Sequence, residues 1–277
     1  MKKFLVVAFA MLALPAFAQT YPNKPVRIIV PFAPGGGSDF IARFMAQRLT
    51  ESLGSQVIVE NKPGAGGVLG IEQGIKAPPD GYTLTLIASS YTVNPSIYKL
   101  NFDPVTDITP IIQMSQGPLL VVAHPSLPVK TIKELIALAK SKPGALSYGS
   151  GGMGAPHHIY MELFKSMTGT DIRHVPYRGG GPALNDVVAG HVPMMFGDVG
   201  PVTGLLRDGR VKGLGVTVGK RVETIPDVPT LVEAGLVGYE ANSWQSIVAP
   251  AHVSRPIVTA LNKALTGFLA EPAELSA

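Results

Sequence analysis

Cysteine is absent from this chain of 277 residues. That excludes a disulfide framework, a thiol nucleophile, thiolate ligation of a metal and lipid attachment at an N-terminal cysteine. The fold must then be held by its apolar core, which a chain of this length can build unaided. Long hydrophobic runs are scarce too. Phe4–Leu14 falls short of the ~18 consecutive apolar residues that a membrane-spanning helix needs, and no later stretch reaches them. Blocks of basic residues are also missing. The formal net charge is +4, and setting aside Lys2 and Lys3 of the leader leaves +2. A phosphate backbone demands several cations on one face, so nucleic acid is not an expected partner. Tryptophan occurs once, at Trp244, where packing in the core or a hinge is its expected role.

What is present begins at the N terminus. Met1-Lys2-Lys3, the apolar run Phe4–Leu14, Pro15 and the small-x-small pattern Ala16-Phe17-Ala18 read as a secretory signal cleaved after Ala18. The mature chain is therefore expected in the periplasm. Its many glycines (31) and prolines (25) punctuate apolar segments and form no low-complexity tract. Together with 46% hydrophobic content, this predicts a folded protein with room for two lobes.

Val26–Val30 reads as a buried strand ended by Pro31. The loop Pro34-Gly35-Gly36-Gly37 follows, and Ser38 is placed to cap the next helix. That helix puts Phe40, Ile41, Phe44, Met45, Leu49 and Leu53 on one face and ends at Gly54. Gln56–Glu60 and Thr83–Ala88 read as further strands. Alternation of strand and helix begins a doubly wound parallel sheet. A second series runs through strands at Leu119–Ala123, Leu146–Tyr148, Asp171–Val175, Val192–Phe196 and Lys212–Val216, with helices between. Two α/β lobes follow: residues 19–110 and 225–277 in the first, 111–224 in the second. Asn242–Ala249 is expected as a strand and Ser254–Leu269 as a helix packed on the first lobe.

Each lobe has one glycine-rich loop running from the carboxyl end of a strand into a helix, Pro34–Gly37 and Gly149–Gly154. Ligands of open α/β sheets sit at that end. A helix start there offers free N–H groups and about half a positive charge, which suits an anion. Two such loops facing across a cleft would grip a small acid with a negative group at each end. Either loop alone reads equally well as a plain turn.

Other chemistries find less support. Pro34-Gly35-Gly36-Gly37-Ser38 lacks the Gly-Lys-Ser/Thr ending of a nucleotide-binding P-loop. Gly149-x-Gly151-x-x-Gly154 has the dinucleotide spacing, but Asp171 begins the following strand where an acidic residue should close it. No serine sits in a Gly-x-Ser-x-Gly elbow. His157, His158 and Glu162 could meet a metal from one helix, yet no further ligand has a diagnostic spacing. Hydrogen bonding at the helix start is the expected role of the two histidines. No catalytic residue, metal or cofactor is expected.

Tyr21-Pro22, Lys24-Pro25-Val26-Arg27-Ile28 and Pro31-Phe32-Ala33-Pro34-Gly35-Gly36-Gly37-Ser38-Asp39 resemble the opening of the Bug receptors. These are the extracytoplasmic solute-binding proteins of the tripartite tricarboxylate transporter type. Asn61-Lys62-Pro63-Gly64-Ala65-Gly66-Gly67, Asp80-Gly81-Tyr82, Asn94-Pro95-Ser96-Ile97-Tyr98, Val175-Pro176-Tyr177-Arg178-Gly179-Gly180 and Pro226-Asp227-Val228-Pro229-Thr230 extend the resemblance along nearly the whole chain. It implies an α/β, type II periplasmic-binding-protein fold, with two doubly wound lobes, a hinge and an interlobe cleft.

Carried over, Phe32, Ala33, Gly36, Gly37, Ser38 and Asp39 line the cleft from the first lobe, and Ser89 and Ser90 add hydroxyls. Ser150, Gly152, Gly154 and Ala155 line it from the second. Asp198 either faces the middle of the ligand or caps the helix after it. Ala155 stands where the family usually carries Ser or Thr, and Pro193 where it usually carries Asp. The chain also stops at Ala277, before several elements expected from the family. The implied partners are a small organic acid and the permease subunits of the cytoplasmic membrane, with the receptor itself a monomer. A sensory protein presenting the same ligand to a signalling receptor fits the sequence too. A hydrolase using Ser150, His157 and His158 is the more distant alternative.

Overall fold

A computed structural model describes residues 21–269, so the predicted signal and the last eight residues lie outside the described residues. The chain folds into two five-stranded sheets, each covered by helices. The first sheet holds β1 (Val26–Val30), β2 (Val57–Asn61), β3 (Thr83–Ala88), β4 (Ile108–Gly117) and β10 (Ser243–Pro250), in the order β2-β1-β3-β10-β4. Around it pack α1 (Gly37–Leu53), α2 (Val68–Ile75), α3 (Ser90–Ile97) and α8 (Arg255–Leu269). The second sheet holds β5 (Leu119–Ala123), β6 (Ser147–Ser150), β7 (Arg173–Pro176), β8 (Met194–Asp198) and β9 (Lys212–Val216), in the order β7-β6-β8-β5-β9. Its helices are α4 (Ile132–Ser141), α5 (Pro156–Thr168), α6 (Gly180–Val188) and α7 (Val199–Arg207). No helix among the described residues is long and apolar enough to cross a membrane.

Both sheets are mixed where uniform parallel pairing is expected. β1 runs parallel to β2 and β3, but β10 is antiparallel to β3 and β4. In the second sheet β6 is parallel to β7 and β8, and β5 is antiparallel to β8 and β9. Pro118 is the single residue between β4 and β5, and its missing N–H ends the ladder where the chain passes from one sheet to the other.

The lobe boundaries move accordingly. β4 stays with the first sheet as far as Gly117, past the expected change at 110–111. Residues 225–241 stay with the second lobe. The Leu231 N–H donates to Val216 O at 2.9 Å, and Leu231, Leu236 and Tyr239 join Tyr148, Phe164 and Phe196 in one core. This stretch has neither strand nor helix periodicity, so its burial leaves no pattern to read. The chain returns to the first sheet at β10. The first lobe's own core joins Ile28, Val30, Leu84 and Leu86 of the strands to Met45 and Leu49 of α1 and Leu261 and Leu265 of α8. Phe40 departs from the expected apolar face: it is 52% exposed, beside Gly200 of α7 in the opposite lobe.

Thr217, wholly buried, joins the two crossings. Its hydroxyl accepts from the Leu119 N–H at 3.0 Å and donates to Ala241 O at 2.6 Å. Its backbone N–H donates to Leu119 O, and its carbonyl accepts from the Ala241 N–H, each at 3.0 Å.

Candidate functional site

The first-lobe loop ends at an uncapped helix. α1 starts at Gly37 with Gly36 as N-cap, and no side chain bonds to the cap. Ser38 therefore sits inside the first turn and does not have the capping role expected of it. Asp39 turns back under the loop. Its Oδ2 accepts from the Gly35 N–H and Arg43 Nε, both at 3.0 Å, and its Oδ1 accepts from Asn61 Nδ2 at 2.9 Å. Asn61 also donates to Phe32 O at 3.0 Å. Burial pushes the Asp39 carboxyl up, but these three donors outweigh it and hold the group below the usual carboxylate range. Asp39 thus shapes the loop from inside its own lobe.

The second-lobe loop is braced inward as well. Ser150 is fully buried; its Oγ lies 2.5 Å from His174 Nε2 and accepts from the Gly152 N–H at 3.0 Å. Its hydroxyl is committed within the lobe, contrary to the expected cleft contact. Burial, with His158 close by, pushes His174 down to about 4. That ring stacks on Tyr148 at 5.0 Å and tilts against His158 at 4.4 Å. His158 Nδ1 accepts from the Gly154 N–H at 3.3 Å, the helix-start bond expected for it. A hydroxyl against an imidazole is the pairing of an activated nucleophile, but this one faces packed protein.

Contact between the lobes comes from other pairs. The Ala33 N–H donates to Arg178 O at 2.9 Å, and Tyr98 OH donates to Met153 O at 2.9 Å. The Gly37 N–H, in the first turn of α1, donates to Asp198 Oδ2 at 3.0 Å. The Asp198 side chain does not cap α7; Oδ2 also meets His157 Nε2 at 3.2 Å. Burial pushes Asp198 up, but His157 and the Gly37 N–H outweigh it and leave the carboxyl below its ordinary value. His157 is 6% exposed, and its Nδ1 has no partner among the described residues. Phe32, Ala88 and Ala155 form a small apolar cluster across the cleft.

The second-lobe surface that meets the first glycine loop is Arg178–Gly181. A Cβ on Gly181 would lie 2.2 Å from Pro34 O, and one on Gly179 would lie 2.7 Å from Ala33 N. Sequence reasoning passed over this strip as a site, although a glycine triplet opening a helix was the signal for it. It also missed the pairing of His157 with Asp198, which joins positions on two separate elements. The serines after β3 divide. Ser89 Oγ lies 3.4 Å from Ser243 Oγ, whereas Ser90 is the first residue of α3, its buried hydroxyl without a partner among the described residues. Asn94, one turn on, is also buried with its amide unpartnered, beside Gly154 of the other lobe.

Phe32 borders two spaces between the lobes. The smaller, ≈ 10 Å³, is lined by Gly36, Gly37, Ser38, His157 and Asp198, among others. That is room for about one water. The larger, ≈ 290 Å³, lies between the turn Gly64–Gly67 with Tyr98 on one side and Gly151–Met153 with Pro176–Arg178 on the other. Gly152 lines the larger space; its φ of +113° is adopted without strain only by glycine.

Known proteins share this architecture. The profile of the tripartite tricarboxylate transporter family receptor matches residues 41–276. BugT of Bordetella pertussis is 35% identical over 280 residues, covering 99% of this chain and 85% of the relative. The solved periplasmic binding protein BugD superposes with a TM-score of 0.88 at 37% identity, covering 91% of this chain and 85% of that one. Rpa4515 of R. palustris, solved with adipate, gives 0.88 at 35% identity with the same coverage. These structures are two-lobed solute-binding proteins, and the family is one of receptors, not of enzymes.

Proposed function

Since the chain belongs to the tripartite tricarboxylate transporter receptor family, we propose that it captures a small organic acid between its lobes and hands it on chemically unchanged. In this reading the leader is removed after Ala18, and the mature monomer works in the periplasm and delivers its ligand to membrane permease subunits. Phe32, Ala33, Gly36 and Gly37 serve the ligand from the first lobe, and Gly152, Ala155 and Asp198 from the second.

One observation carries the reading. The uncapped start of α1 holds a carboxylate presented from the opposite lobe, that of Asp198, on the Gly37 N–H at 3.0 Å. Free N–H groups and the helix dipole make such a position an anion seat, and a bound acid placed there would draw the lobes together as Asp198 does. The adipate carried by the R. palustris relative is an acid of the expected size.

Calorimetric titration of the mature protein with a panel of mono-, di- and tricarboxylates tests this. At least one acid should bind saturably and, at ~100 times its Kd, should stabilise the fold by ~2.7 kcal/mol. Gly36→Val should remove that binding, because even its Cβ would press to 3.2 Å from Gly181 N. A panel in which no acid binds rejects the proposal.

A further inference from the structure

We propose that His157 is a charge-bearing residue of the anion seat: its imidazole takes up a proton as a plain carboxylate enters beside Asp198. The inference rests on the receptor reading above and states how that seat tells one acid from another.

Charge is the first argument. The space at the start of α1 is lined by two aspartates, Asp39 and Asp198, and among the described residues by no lysine or arginine. Asp39 is balanced by Arg43, whose Nε lies 3.0 Å away. Asp198 is set against an imidazole, with His157 Nε2 at 3.2 Å. Both members of this pair belong to the second lobe, so they stay together when the lobes part and face the start of α1 when they meet. An acid held on the Gly37 N–H takes the place that Asp198 Oδ2 fills at 3.0 Å. Two carboxylates then stand side by side, which is unfavourable until a proton or a cation joins them.

The second argument is where that proton can go. With Nε2–H donating to Asp198, the lone pair of the ring lies on Nδ1, which has no partner among the described residues. A proton from solvent on Nδ1 makes the imidazolium and leaves the bond to Asp198 in place. The Asp198 carboxyl lies below its ordinary value, so the ring is the better base of the two. The other described neighbours of the ring do not compete. The β6 loop presents Gly151, α6 presents Gly180, and β10 presents Ser243 and Gln245. On α5 itself, burial pushes Tyr160 up and keeps it neutral, and His158 turns towards His174.

Selectivity is the third. An acid that carries an ammonium group brings its own cation to Asp198 and needs no proton. A plain acid needs the imidazolium. One seat can therefore take both kinds, with a proton only for the second.

Titration calorimetry in buffers of different ionisation enthalpy counts the protons. At pH 7.5, each plain acid of the carboxylate panel that binds should do so with net uptake approaching about one proton, which means ~tenfold weaker binding per unit rise in pH. Aspartate and 2-aminoadipate, the amino counterparts of succinate and adipate, should take up clearly less. His157→Gln, which keeps a donor for Asp198, should lose the uptake and flatten the pH dependence, whereas His174→Gln should keep both. Plain acids that bind without proton uptake overturn this inference and leave the receptor reading intact, as does equal uptake by an amino acid and its plain counterpart. Those measurements use the native chain and stand even if His157→Gln fails to fold. Uptake that survives in folded His157→Gln overturns the assignment to His157. Failure of every acid to bind overturns the receptor reading itself.

Discussion

The two glycine loops look alike in sequence and are used in opposite ways. Pro31–Gly37 faces outward: its Ala33 and Gly37 N–H groups both reach acceptors in the other lobe. Ser150–Ala155 is braced inward, where Ser150, His174 and His158 hold it from behind. The cleft is thus made of a donating loop and a stiffened wall, and the strip Arg178–Gly181 closes the gap between them. A glycine-rich strand-to-helix loop marks a place where backbone comes close to something. Its neighbours decide whether that something is a ligand, a facing lobe or the loop's own side chains.

Filling the strip that joins the lobes should break this arrangement most severely. Gly181→Ala would put a methyl 2.2 Å from Pro34 O, while alanine suits α6 at least as well as glycine. The lobes should then fold normally but fail to meet. If less than ~1% of the population can close, apparent affinity falls at least ~100-fold. Small-angle scattering should show an enlarged radius of gyration, with the melting temperature held.

The two aspartates near the donating loop should separate by readout. Asp39→Ala removes charge-assisted bonds to Gly35, Asn61 and Arg43 and should lower unfolding free energy by ~2 kcal/mol. Asp198→Ala, which takes the partner from the buried His157 Nε2, should cost less, about 1 kcal/mol, and should weaken acids bearing an amine or hydroxyl more than plain acids. Chemical denaturation and calorimetry on both variants check the pair; equal stability losses would dissolve the distinction.

The smallest effect is a pH dependence confined to the stiffened wall. His174 is held near 4, below its ordinary 6.5, so the unfolded chain takes up a proton first as pH falls. Stability from this group is complete above pH 6.5 and declines as pH drops from 6.5 towards 4. Urea midpoints at pH 7 and pH 5 should differ less in His174→Gln than in the native chain.

The alternation of strands and helices was legible because it rests on local signals. Gly54, for instance, ends α1 in the left-handed conformation, at φ 63°, that a C-terminal glycine announces. The positions of both glycine loops were legible for the same reason. What escaped depends on residues distant in the chain. Nothing in Pro34–Asp39 says that Asp39 will find Asn61, 22 positions away. Nothing near Gly37 says that its N–H will meet Asp198, 161 positions on. The second crossing was misplaced because 225–241 is held by apolar burial without a repeating pattern.

Thr217 has a mechanical consequence. One hydroxyl is bonded to both connecting strands, so neither can flex while the other stays still. Bending at one connection must therefore be shared by the other, which restrains twisting and sliding of one lobe against its neighbour.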